Sequence, residues 1–218
     1  MKKKSKDILS LYISYFLKGL IIFLFFLSVW KRHWVWVFGS IVGFTVSMIP
    51  TILKRNYQIT LPLFLDVLIT SALLLHIGGA LLNAYRDIPG YDSLTHFVSA
   101  FLVAFLAFVV IYILHVYWDG LIMDEYAMAF LVVIFSVAMG VVWEFNEWIA
   151  DLFFYGRPHE QLGYNDTIKD LSIDMLAGII MAVLGVSLIK KGSFDRITKD
   201  LGKQIDSKII NKRKKQNK

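Results

Sequence analysis

Six long apolar stretches, each near the roughly 20 helical residues that cross a hydrocarbon core of about 30 Å, dominate this 218-residue sequence. They cover residues 9–30, 34–53, 61–84, 94–118, 126–148 and 169–189. The breaks between them carry loop chemistry: Lys31-Arg32-His33, Lys54-Arg55-Asn56, Arg86-Asp87-Ile88-Pro89-Gly90, Asp119-Gly120 and the longer run from Asp151 to Asp166. Backbone buried in lipid must satisfy its hydrogen bonds internally, and no alternation of apolar and polar residues marks barrel strands, so each stretch is expected to be a helix. The expected fold is all-α, an integral membrane six-helix bundle. Composition agrees, because 57% hydrophobic and 18% charged residues are too apolar a mixture for an ordinary soluble domain. The absence of cysteine excludes thiolate catalysis, zinc fingers, iron–sulfur clusters and disulfides.

Basic residues set the expected orientation. With both termini inside, the inner segments hold 17 Lys and Arg residues and the outer ones five, with Lys18 left unassigned. Both the N- and C-termini are therefore expected in the cytoplasm, and the pair Lys31-Arg32 is a local exception that the rest of the chain outvotes. Trp30, Trp34, Trp143 and Trp148 then fall toward the outer interface and Trp118 at the inner one. The first stretch follows Met1-Lys2-Lys3-Lys4, but its length and lack of a small-x-small cleavage site read as a retained helix. Lys18 within it is expected to snorkel to the nearer interface. Residues 1–190 form the expected transmembrane domain and 191–218 a basic amphipathic cytoplasmic tail. In that tail Phe194, Ile197, Leu201, Ile205 and Ile209 recur at helical spacing between basic residues, as in a helix lying on anionic inner-leaflet lipids. No base-reading motif accompanies the charge, so nucleic acid is not an expected partner. The expected location is the cytoplasmic membrane of a prokaryote, with multiple passes.

Ionisable groups inside membrane helices are costly and usually mark function. Three segments carry them: Asp92 to His96 at the start of the fourth helix, Glu144 to Glu147 near the end of the fifth, and Asp166, Asp170 and Asp174 at the start of the sixth. Spacings of three and four residues put each set on one helical face. The expected topology puts all three sets at the outer side and at similar depth. Crowded like charges need shared protons, neighbouring cations such as Arg86, Arg157 and Lys169, or a metal ion. One histidine among carboxylates, without sulfur, suits a divalent Mg, Mn or Zn ion. The candidate ligands are His96, Glu144, Glu147, Asp166, Asp170 and Asp174, and the candidate catalytic groups are Asp92, His96, Glu144, Glu147, Asp170 and Asp174. A bound ion of this kind activates water for attack on a phosphoester or other headgroup bond, with a carboxylate as general base. The competing reading is interhelical hydrogen-bond and salt-bridge glue at a wet rim.

Elsewhere, His76 and Asn83 lie seven residues apart on one face of the third helix, with Asp66 a little off that face, as a core polar pair or the inward part of a transport path. His115 and the His159-Glu160 pair read as interfacial. Gly78-Gly79 and Gly178 read as close-packing sites.

Through Tyr91-Asp92 to His96-Phe97, Trp143-Glu144 to Glu147-Trp148, and Asp166-Thr167 to Asp170 and Asp174 with Gly178 behind, the sequence resembles the YjdF-type family of uncharacterised prokaryotic membrane proteins, and more distantly the VanZ-like proteins. The likeness runs from about Leu61 to Ile189. VanZ-like proteins carry a similar Asp-x-x-x-His opening and an acidic pair, where this chain has Asn146-Glu147 and a Trp. The resemblance implies a multi-spanning membrane protein and supplies no reaction. Three functions stay open: a metal- or acid/base-dependent envelope enzyme acting on a lipid or cell-wall precursor headgroup, a cation- or proton-coupled transporter, and a non-catalytic membrane scaffold.

Overall fold

The computed structural model describes residues 2–57, 63–117, 122–155, 163–194 and 198, and among these it is helical with no strand. In chain order the helices are α1 (Lys2–Trp30), α2 (Trp34–Ser47), α3 (Ile49–Tyr57), α4 (Leu63–Leu81), α5 (Ala84–Asp87), α6 (Tyr91–Tyr117), α7 (Glu125–Ala150) and α8 (Tyr164–Lys190), with a π-helical segment Asp151–Tyr155 following α7. Six helical stretches are long and apolar enough to cross a bilayer: Tyr12–Trp30, Trp34–Leu53, Phe64–Leu81, Tyr91–Val116, Glu125–Phe153 and Tyr164–Lys190. The expected six spans are all present, and a lipid bilayer is their environment.

Several boundaries differ from the hydropathy reading, each for a local reason. The second span breaks at Met48 into α2 and α3, because Pro50 has no N–H to give to the carbonyl four residues back. The third stops at Leu81 rather than at residue 84, since Asn83 adopts a left-handed conformation with φ 57° and the short α5 follows. That turn removes Asn83 from the face of His76 and leaves it exposed. α6 starts at Tyr91 and α8 at Tyr164, so Asp92 and Asp166 lie inside helices rather than before them. α7 begins where Asp124 caps it, its carboxylate accepting the N–H groups of Tyr126 at 2.9 Å and Ala127 at 2.7 Å. Trp118, Arg157, His159 and Glu160 lie outside the described residues.

Contacts divide the chain into two compact units, Met1–Thr95 and His96–Lys218. In the first, α1, α2 and α4 pack mutually around Ile21, Leu24, Ile77 and Leu81. Small residues Ser40, Gly43 and Ser47 form the buried stripe of α2, the usual means by which membrane helices approach closely. Lys18 does not snorkel. It is buried, and its ammonium donates to Ser14 Oγ at 2.6 Å and to both Asp66 carboxylate oxygens at 2.9 and 3.2 Å. The carboxylate on α4 offers what the interface would otherwise supply. Lys31 is also engaged, donating to the Leu81 carbonyl at 2.8 Å and so satisfying one of the open carbonyls at the end of α4. His76 Nδ1 lies 2.9 Å from the Tyr85 hydroxyl, and Tyr91 donates to the Leu75 carbonyl at 2.7 Å. The Tyr85 and Tyr91 rings close over Gly79, where a Cβ would overlap them.

In the second unit α7 and α8 run antiparallel, because Thr167 near the start of α8 bonds Glu144 near the end of α7 while Lys190 at the end of α8 bonds Tyr126 at the start of α7. The buried stripe of α7 is Met128, Val132, Ser136, Gly140 and Glu144, one residue per turn. The buried residues of α8 are Asp170, Asp174, Ala177, Gly178, Met181, Ala182 and Gly185, and of these Asp174 packs on Gly140 of the α7 stripe. Gly178 sits against Ser136, the close-packing role expected of it. Beyond α8, Gly192 takes φ 62° and Phe194 turns back, wholly buried, onto Phe105, Phe108 and Tyr112 of α6. Phe194 therefore leaves the leaflet-facing set expected of the tail, whose residues Ile197, Leu201, Ile205 and Ile209 lie outside the described residues. His115 Nδ1 accepts the Met123 N–H at 3.1 Å and closes the connection from α6 to α7.

Candidate functional site

Within the second unit, the chain gathers polar side chains where α6 begins, α7 ends and α8 begins. His96, Glu144, Asp170 and Asp174 are all buried there. His96 Nδ1 lies 3.3 Å from Asp174 Oδ1, and ligand atoms of His96 and Asp170 come within 4.8 Å of each other. Asp174 is fixed from the α7 side as well: Ser136 Oγ donates to its backbone carbonyl at 2.9 Å, and its carboxylate packs on Gly140, where a Cβ would overlap Oδ2. Glu144 stands one turn beyond Gly140 on the same stripe and accepts the Thr167 hydroxyl at 2.7 Å.

The candidate residues separate by surroundings. Asp166 is half-buried and takes the Lys169 ammonium at 2.7 Å, while the same ammonium lies 3.5 Å from Asp170. Glu147 is half-buried and accepts the Trp143 indole N–H at 2.8 Å. Asp92 belongs to the first unit, half-buried, one helical turn before His96 on α6. Arg86 is exposed.

Two residues escaped the sequence reading. Asp151 is buried at the start of the π-helical segment, seven residues after Glu144 and so on the same face of α7; that spacing was visible in the sequence. Thr167 stands in the Asp166-Thr167 motif, but a hydroxyl among charged residues does not announce which partner it will meet.

Three buried carboxylates, one imidazole and one half-exposed ammonium form an acid-rich set. Anions in such a place are stable only when paired, protonated or bound to a cation. Oxygen donors with one imidazole nitrogen are the donor set of a hard or borderline divalent ion.

The comparisons with known proteins agree with this architecture. The family described as "Predicted membrane protein (DUF2238)" matches residues 13–191. An uncharacterized protein of Thermotoga maritima is 26% identical over 156 residues, which is 71% of this chain and 79% of the relative. No solved structure matches the chain. The expectation of an uncharacterised family of multi-spanning membrane proteins is met. With its six bilayer-length helices and a match over most of its length, the chain is a multi-pass membrane protein and belongs to the predicted membrane protein family DUF2238.

Proposed function

We propose that the second unit binds a divalent cation and uses it for chemistry on a lipid or cell-wall precursor headgroup. One observation carries this reading: His96, Asp170 and Asp174 are buried together at the end of membrane-spanning helices, with His96 and Asp170 ligand atoms within 4.8 Å. His96 and Asp170 are the sixth and seventh residues of their helices, about 8–9 Å from the helix starts, which supports a substrate near headgroup depth. Asp92, the one acid of α6, lies one turn before His96. His96 and Asp170 would hold a divalent ion, which would supply Lewis-acid activation of water at this place. Glu144 is the carboxylate we assign to take the proton, because it is buried on the neighbouring helix and held by Thr167. Glu147 and Asp166 are left outside the ligand set, being engaged by Trp143 and Lys169. We place both termini in the cytoplasm, with the site opening outward and the basic tail on anionic inner-leaflet lipids.

The transport reading needs a polar path inward through Asp66 and His76. Asp66 is tied to Lys18 and His76 to Tyr85, which gives both residues structural employment.

Elemental analysis of detergent-purified protein, followed by Mn2+ or Zn2+ titration, tests the proposal. The expected result is near-stoichiometric metal in the wild type and its loss in His96→Ala and Asp170→Asn variants that keep their helical circular dichroism. A wild type that binds no divalent ion and shows no ion-dependent rise in Tm overturns it.

A further inference from the structure

Resting on that reading, we infer that Asp174 is a positioning residue that orients His96 from outside the coordination sphere, and that the Gly140–Ser136 face of α7 is the mould that holds it. The residue types alone put Asp174 among the ligands, since it continues the spacing of Asp166 and Asp170. The geometry separates the three.

One oxygen of Asp174, Oδ1, faces His96 Nδ1 at 3.3 Å. The other, Oδ2, lies against the α carbon of Gly140 so closely that a methyl group there would collide with it, and the carboxyl carbon would stand 3.0 Å from the same methyl. Ser136, one turn earlier on α7, donates to the Asp174 backbone carbonyl and fixes α8 at this level. The carboxylate is thus enclosed by imidazole on one side and helix backbone on the other. Ligand atoms of Asp170 and His96 lie within 4.8 Å of each other, whereas Asp174 meets His96 at Nδ1 and is closed off on its other side by Gly140.

A carboxylate on one imidazole nitrogen fixes the tautomer and the ring plane, and leaves the opposite nitrogen as the one that faces a metal. In this division of labour His96 binds through Nε2, Asp170 supplies an oxygen ligand, and Asp174 governs the basicity and aim of the ring. Gly140 is required because any larger residue pushes the Asp174 carboxylate off the histidine.

Co2+ serves as the probe, because its visible absorption reports the identity and geometry of the ligands while a titration reports affinity. Wild type, His96→Ala, Asp170→Asn, Asp174→Asn and Gly140→Ala are compared in detergent as full-length protein. The expected result for Asp174→Asn is a wild-type Co2+ spectrum with affinity reduced about 10- to 100-fold, the usual effect of removing an outer-shell partner. Gly140→Ala shifts affinity in the same direction without changing any charge, and Asp170→Asn changes or abolishes the spectrum. If Gly140→Ala fails to fold, the near-isosteric Asp174→Asn decides by itself. The inference is overturned if Asp174→Asn alters the spectrum as Asp170→Asn does, which makes it a ligand, or if it leaves affinity unchanged, which gives it no part. A wild type that takes up no Co2+ overturns the metal reading, and this assignment falls with it.

Discussion

Lys18 and Asp66 offer the sharpest test of how the first unit is held together. Their side chains are 3% and 13% exposed and the shorter contact is 2.9 Å, so neither water nor salt screens the pair much. Replacing Asp66 by Leu leaves the Lys18 ammonium with Ser14 as its remaining acceptor among the described residues. Removing one partner of a buried ion pair costs about 3–5 kcal/mol, most of it the desolvation of the orphaned charge. Lys18→Met orphans the carboxylate instead, at a cost in the same range. The double replacement Lys18→Met/Asp66→Leu removes both charges and keeps the volume, and such swaps are often neutral or stabilising. The expected pattern in SDS- or heat-induced unfolding in detergent is two destabilised single variants and a double variant near wild type. The coupling energy then exceeds the cost of either single change. Single variants that stay within about 0.5 kcal/mol of wild type and add simply would refute the argument, since that is the behaviour of a solvated surface pair.

Two further outcomes are expected. Tag accessibility on intact cells should find residues near Lys2 and Lys218 protected and the segment holding Arg157 and His159 labelled; the reverse pattern removes the outward-facing site. Phe194→Ala should lower the stability of the second unit by about 3–5 kcal/mol, the range for emptying a buried aromatic site, as read by chemical unfolding; a loss below about 1 kcal/mol would show that its packing on Phe105, Phe108 and Tyr112 contributes little.

The number of spans and their limits to within about five residues were legible because hydropathy and backbone satisfaction act along the chain, one segment at a time. Where the limits moved, a local backbone rule overrode hydropathy, through Pro50 at the α2–α3 break and the left-handed Asn83 after α4. The helical faces that carry Asp92 and His96, Glu144, and Asp170 and Asp174 were likewise fixed by spacing alone. The partners were not. Lys18 meets a carboxylate 48 residues away and His96 one that is 78 away, and Phe194 finds a slot on α6 that its amphipathic spacing does not suggest. Such pairings depend on how far each helix is rotated and shifted against its neighbour. That register is set by small side chains, Gly140 under Asp174, Gly178 against Ser136 and Gly185 beneath the Phe108 ring, whose effect is steric and three-dimensional. The sequence by itself determined a six-span helical membrane protein with acids near one end of its last three spans; only helix packing decided which acid meets which base.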